Sequence, residues 1–299
     1  MALKATLRKP VFMKLWESHP KIWKAMVDIG VFLKYKTLNI ANLPQAITLP
    51  SRHLLYVNPN ENRGRVLLIK NGMTQSRLTK FWIDTVQTMK PTIVVDVGVN
   101  YGECIFSTDY AAHTKLFGIE ANTYLIPYIM KSKEAHPNKE QITIVQAFAS
   151  NKENENQRFY VDTHWSGTSS ASYAPSHNMI EEHDVPTVTI DSLLEGSLTK
   201  ERLLFKVDVE GYEAFVLQGM NHTIKECGHV IGFIEFDSEY MKKAYVNLDT
   251  FLSFLNEHFH VFMYDYNDEL VDITSFTYKQ VQEELRYREV HTDLVVVKK

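Results

Sequence analysis

From Thr92 onward, short apolar runs alternate with stretches whose apolar residues recur at helical spacing. The runs are Thr92–Val97, Lys115–Glu120, Ile142–Ala149, Leu203–Val209, Val230–Phe236, His260–Tyr266 and Leu294–Val297. Runs such as "TIVVDV" lack polar alternation, as strands buried on both faces should. Tyr101–Ala112 and Asn122–His136 read as helices between them. Strands alternating with helices predict an α/β fold with a mostly parallel sheet covered on both faces. Upstream, Leu78–Met89 carries an apolar face of Leu78, Phe81, Trp82 and Val86 and reads as a helix, and Arg65–Lys70 reads as a short strand. Residues 37–64, punctuated by Pro44, Pro50 and Pro59, read as irregular. The polar "SNKENENQ" (Ser150–Gln157) reads as a turn between strands. The chain divides into a helical or irregular extension, residues 1–75, and a main domain, residues 76–299.

Charge adds one feature to this pattern. The first 36 residues hold eight basic residues against Glu17 and Asp28, about +6, whereas the whole chain of 299 residues carries −4. Leu15, Trp16, Ile22, Trp23, Met26 and Val27 recur there at helical spacing. A basic, Trp-bearing amphipathic helix suits peripheral contact with an anionic membrane through residues 1–36, or else packs its stripe on the domain and solvates its lysines. The acidic remainder argues against a nucleic-acid partner. No apolar run reaches the roughly 20 residues of a membrane span. With no signal-type segment, a cytoplasmic protein is expected. Cys104 and Cys227 sit in neither disulfide-framework nor metal spacing and are expected to be buried thiols.

Candidate chemistry begins at "VVDVGVNYGE" (Val94–Glu103). A buried strand ends in Asp96, and Gly98 and Gly102 then bracket Asn100 ahead of the expected helix. Glycines allow a sharp turn and close approach of a ligand to the backbone. Asn100 in the middle crowds a pyrophosphate, and Asp96 suits a cationic ligand better than a phosphate. The next run, "FGIEAN" (Phe117–Asn122), ends in Glu120, 24 residues after Asp96. That is where a carboxylate holds ribose hydroxyls, although such an acid also serves as a helix N-cap.

The second signal is "FKVDVEGYEAFVLQG" (Phe205–Gly219). Lys206, Asp208 and Glu210 lie in an otherwise apolar strand and share one face by the two-residue period. Buried charges are costly unless paired or functional. Asp208 and Glu210 fall at the carboxyl end, where open α/β sheets bind ligands. An ion pair with Lys206 that only fixes local geometry is the plainer alternative.

With "VPTVTIDSLL" (Val185–Leu194) and "GFIEFD" (Gly232–Asp237), these strings resemble the FkbM-type methyltransferases over residues 91–240. The resemblance implies a Rossmann-like class I methyltransferase sheet of seven strands, mostly parallel with the last antiparallel. Helices would cover both faces, with a helical N-terminal extension. It implies S-adenosylmethionine as methyl donor and transfer to a hydroxyl of a sugar or other small-molecule acceptor. Asp96, Gly98, Asn100 and Gly102 would surround the methionine moiety, Glu120 and Ala121 the ribose, and Ala147 and Phe148 the adenine. Asp208, Glu210 and Glu235 would lie at the reaction centre.

A hydroxyl must lose its proton as it attacks, so a general base is expected. Asp208 and Glu210 lead, then Glu235. A divalent metal held by these carboxylates would instead lower the acceptor's pKa. The polar loop "THWSGTSSASYAPSH" (Thr163–His177) offers Trp165 for stacking, Ser166, Thr168 and Ser169 for hydrogen bonds, and His164 or His177 as a base. Two other readings stand beside the methyltransferase: a nicotinamide dehydrogenase, which Asn100 disfavours, and a methyltransferase-like scaffold that binds without catalysing.

Overall fold

The computed structural model describes residues 19–163, 165–171, 180–194, 196–265 and 267–299. The chain begins with α1 (Pro20–Tyr35), the hairpin β1 (Ala46–Thr48) and β2 (Leu54–Tyr56), α2 (Asn62–Ile69) and α3 (Ser76–Met89). Then come β3 (Ile93–Val97), β4 (Lys115–Glu120), α4 (Ile126–Glu134), β5 (Ile142–Gln146) and β6 (Phe148–Ala149). β7 (Asn156–Asp162), β8 (Ile180–Val188), α5 (Ile190–Leu193), β9 (Arg202–Val207), α6 (Glu213–Gln218) and α7 (Asn221–Glu226) follow. The chain closes with β10 (His229–Asp237), α8 (Ser238–Lys243), α9 (Leu248–His258), β11 (Phe259–Tyr264), β12 (Leu270–Asp272), α10 (Tyr278–Leu285) and β13 (His291–Lys298).

The main sheet runs β5-β4-β3-β9-β10-β13-β11-β12. The pairs from β5 through β10 are parallel, and β13 inserts antiparallel between β10 and β11. This is the expected mostly parallel sheet with an antiparallel last strand, and the short β12 adds an eighth strand at its edge. Strand order reverses between β3 and β9, because β4 and β5 are laid to one side of β3 and β9 and β10 to the other. Ligands of open α/β sheets bind at such a switch point. A smaller sheet, β6-β8-β7, branches off after β5.

The unbroken apolar runs follow from a core on each side. Ile93, Val95, Val97, Leu203, Phe205 and Val207 join a cluster with residues of α9 and α10. Val94, Leu204 and Phe233 face the other way, into a cluster with Val27, Val31, Leu67, Leu68 and Trp82. Residues of the N-terminal extension therefore cover the second face of the sheet. Trp82, wholly buried, donates its indole N–H to the Tyr110 hydroxyl at 2.8 Å.

Two local expectations are corrected. Arg65–Lys70 is not a strand: residues 62–69 form α2, capped by Glu61, whose carboxylate accepts the Arg63 and Gly64 N–H groups. A short apolar run fits either period, and here the cap decides. Tyr101–Ala112 is not a helix but a series of turns. Gly98, Asn100 and Gly102 all adopt positive φ (74°, 51° and 93°), which no right-handed helix accommodates.

Gly232 of β10 lies beside Phe205 of β9, and a Cβ there would stand 2.1 Å from the Phe205 ring. Phe205 is wholly buried. Gly232→Ala should therefore destabilise the fold by about 1–3 kcal/mol through overpacking, read as a lower midpoint of denaturant unfolding. An unchanged midpoint would show that the ring is free to move aside.

Candidate active site

The β3–β9 switch point is organised around one buried cation. Asp96 and Lys206 are register partners across β3 and β9, and the Lys206 ammonium lies 3.3 Å from Asp96 and 3.5 Å from Asp208. It also donates to the Gly98 carbonyl at 2.7 Å. Burial opposes the charge on Lys206, but the two carboxylates outweigh it and hold its pKa above the ordinary value. Burial pushes the Asp96 carboxyl up, and Lys206 opposes that rise.

Gly98 is required where the loop leaves β3. A Cβ there would lie 1.9 Å from the Asp208 carbonyl oxygen, and φ is 74°. The loop's N–H groups are spent within the protein: Gly98 donates to Ile119, Asn100 to the Glu120 carboxylate and Tyr101 to the Asn100 side chain. With no helix start and few unspent donors, the loop is not built as a phosphate cradle. Glu120 also accepts from Asn122 N–H, which fixes both of its oxygens at the rim, and burial raises its pKa.

A cavity of about 340 Å³ opens here. Asp96, Gly98, Asn100, Glu120, Ala121, Ala147 and Phe148 line it, as do Asp208, Glu210 and Glu235. Gly102 does not; a Cβ there would stand 2.2 Å from the Phe106 ring, so the glycine makes room for that ring. His164 and His177 lie outside the described residues. Further acid comes from Glu103, against the cations Arg63, Lys70 and Lys206, so the lining is predominantly acidic.

Asp208, Glu210 and Glu235 each place a carboxylate oxygen within 4.8 Å of the others. The expected shared strand face does not bring them together, because β9 ends at Val207 and Glu210 sits in a left-handed turn at φ 54°. Glu235 arrives from β10. Burial, then Glu210 and Asp208, pushes its carboxyl well above the ordinary range, and its Oε2 has no hydrogen-bond partner among the described residues. Three such oxygens suit a proton in transit, and equally a hard divalent cation.

Several residues have no signal in the sequence for the contacts that build the wall. Arg63 of α2 pairs with Glu103 at 2.5 Å and lies over the Trp165 ring, 5.6 Å from its centroid. Trp23 of α1 meets Trp165 edge-on, with centroids 5.4 Å apart. Glu61, 8% exposed, accepts from Ser166 N–H and the Tyr101 hydroxyl, and so ties α2 to the loop after β7. Trp165 is thus a buried wall rather than an open stacking platform. Thr168 is not in the cavity lining; its hydroxyl is spent on Asp162 at 2.6 Å. Ser166 and Ser169 do line the cavity. Cys104 and Cys227 are free, buried thiols.

Glu213, wholly buried at the start of α6, ends the same "DVEGYE" string. Its Oε1 accepts the N–H groups of Val209 and Gly211, which bracket Glu210 and hold the left-handed turn.

The sequence profile of the methyltransferase FkbM domain matches residues 96–270. No curated protein matches the chain in sequence. Among solved structures, the chain is similar to an O-methyltransferase from Bacillus cereus in complex with SAH (9% identity, 74% of this chain and 80% of that one, TM-score 0.40). It is similar to the O-methyltransferase TomG from Streptomyces achromogenes, involved in tomaymycin synthesis and in complex with SAM (8% identity, 77% and 83%, TM-score 0.41). The SAH-bound methyltransferase PaMTH1 of Podospora anserina gives 11% identity over 76% and 79%, with a TM-score of 0.41.

Burial raises the Glu213 pKa from 4.5 to about 7. Between those values the folded chain binds more protons than the unfolded chain. The stability this group contributes is therefore complete below its unfolded pKa and lost as pH rises through about 7. Between about pH 5 and pH 8 that loss approaches about 3 kcal/mol. Glu213→Gln cannot titrate, so its unfolding free energy should fall less across this interval than that of the native protein. Parallel pH profiles in urea unfolding would disprove the assignment.

Proposed function

The chain belongs to the FkbM methyltransferase family, and we propose that it transfers a methyl group from S-adenosylmethionine to a hydroxyl oxygen of a sugar- or glycan-type acceptor. The observation that carries this reading is the acidic cavity at the β3–β9 switch point, walled by Asp96 and Glu120 and floored by Asp208, Glu210 and Glu235. S-adenosylmethionine bears an ammonium and a sulfonium, and a cavity rich in carboxylates favours such a cation. Asp96, Gly98 and Asn100 would hold its methionine portion, Glu120 and Ala121 its ribose, and Ala147 and Phe148 its adenine. When bound, it supplies a methyl carbon already activated by the sulfonium.

The residues of the chain do the rest. Holding two reactants in line contributes about 7–11 kcal/mol to such displacements. Gln75, Lys70 and Ser169 line the cavity with hydrogen-bonding groups suited to a polyhydroxylated acceptor. As the acceptor oxygen attacks, its proton passes to a carboxylate. Burial and two acidic neighbours disfavour the charged form of Glu235 and push its carboxyl well above the ordinary range, which makes it the poorest proton acceptor of the three. The base is then Asp208 or Glu210. A divalent cation on the same oxygens would instead act as a Lewis acid. The Lys206 ammonium, 3.5 Å from Asp208, already gives one of these carboxylates a counter-charge, and we assign the role to the carboxylates alone.

Two measurements test this reading. Calorimetry should show micromolar-range binding of S-adenosylhomocysteine, weakened about tenfold or more in Glu120→Ala, as expected when a hydrogen bond to a charged group is lost. No binding to folded protein would sink the reading and leave a scaffold. With a hydroxylated acceptor, Asp208→Asn and Glu210→Gln should lower kcat by roughly 100- to 10,000-fold in whichever variant loses the base, and EDTA should leave the native rate unchanged. Inactivation by EDTA and rescue by Mg²⁺ would transfer the role to a metal.

A further inference from the structure

α1 buries Val27 and Val31 against the sheet and contributes Trp23 to the cavity wall, yet its other side is an apolar stripe open to solvent. Ile22 is 53% exposed, Met26 50%, Ile29 60%, Phe32 49% and Leu33 63%, and Leu38 just beyond the helix is 61% exposed. Positions 22, 26, 29 and 33 follow the helical period, so these side chains form one continuous face. Six large apolar residues together exceed the scattered exposure normal for a soluble surface.

Charge identifies what covers this face. Lys21, Lys24 and Lys36 are exposed beside it, whereas Asp28, the helix's one acid, is paired with Lys24 and Arg65. A second copy docking by twofold symmetry would press one basic helix on another. Residues 1–18 carry Lys4, Arg8, Lys9 and Lys14 against Glu17, so they share the sign of the helix. An occupant of opposite charge that accepts a convex apolar ridge without a matching groove is an anionic bilayer. Among the described residues no helix is long and apolar enough to cross a membrane, so the contact would be peripheral.

We propose that the exposed face of α1 docks on an anionic lipid surface, with Ile22, Met26, Ile29, Phe32 and Leu33 entering the interface and the flanking lysines meeting the headgroups. The opposite side of the same helix carries Trp23 into the cavity wall, so docking holds the cavity about one helix diameter, roughly 10–12 Å, from the headgroups. This inference rests on α1 and stands apart from the chemistry of methyl transfer.

The test is co-sedimentation of the full-length protein with phosphatidylcholine vesicles, with and without phosphatidylglycerol. Binding should require phosphatidylglycerol, weaken as salt is raised, and fall about tenfold or more in Ile29→Asp/Leu33→Asp and in Lys21→Glu/Lys36→Glu. Both pairs are exposed, so thermal unfolding should match the native protein. Equal binding by native and variant chains, or no native binding, would overturn the proposal. So would a vesicle-free dimer that the aspartates dissolve, which makes the face a self-interface. A lowered unfolding midpoint in the aspartate variant would equally overturn it, because the face would then be covered by the chain itself.

Discussion

The ammonium of Lys206 is the constraint around which the rest is arranged. It joins the ends of β3 and β9 by contacting Asp96, Asp208 and the Gly98 carbonyl. At the effective dielectric that holds even for buried sites, a charge pair at such distances attracts by about 4 kcal/mol, while removing each ion from water costs several. These terms nearly cancel, so the triad adds little net stability and mainly defines geometry. Had β3 and β9 been free to slide, Gly98 would lose its close approach to Asp208, and the carboxylates would no longer share one floor. Removal of Lys206 alone would leave Asp96, 1% exposed, without its counter-charge.

The wall opposite that floor belongs to the N-terminal extension. Trp23, Arg63, Lys70 and Gln75 all precede residue 96, where the family match begins, yet all line the cavity. Glu61 fastens this wall to the loop after β7 through Ser166, and to the glycine loop through Tyr101. Docking α1 and α2 on the sheet therefore does two things at once. It buries the face bearing Val94 and Leu204, and it encloses the volume above the switch point. Under the proposed function, variation in these elements changes the acceptor's surroundings and leaves the carboxylate floor unchanged.

How far the sequence reveals this site depends on whether a residue's role is local. The apolar runs announce β3, β4, β9 and β10, and the acids ending β3 and β4 fall at the cavity as the strand pattern requires. The left-handed residues 98, 100 and 102 are less legible: two glycines suggest a turn before a helix, but Asn100 at positive φ extends the irregular path and removes the helix start. Arg65–Lys70 misleads because four apolar residues fit both periods, and only the Glu61 cap selects a helix. The wall contacts of Arg63, Glu61 and Trp23 have no local signature, since their partners Glu103, Ser166 and Trp165 lie 40 or more residues away. Thr168 shows the converse error. A hydroxyl in a polar loop looks available, whereas Asp162 already holds it.

The division of labour among the three floor carboxylates follows from their different supports. Asp208 has a counter-charge in Lys206. Glu235 has none among the described residues, and with one oxygen unpartnered there it is the member that favours holding a proton. Environments that push neighbouring acids apart in this way separate proton holder from proton acceptor within one site. Glu210 owes its place to backbone conformation instead. Its left-handed turn is held by Glu213, which grips the amides on either side. A non-glycine residue at positive φ persists only where its surroundings impose it, and such strain gathers at functional sites. The "DVEGYE" string thus combines an acid set by charge, an acid set by a turn, and the buried acid that sets the turn.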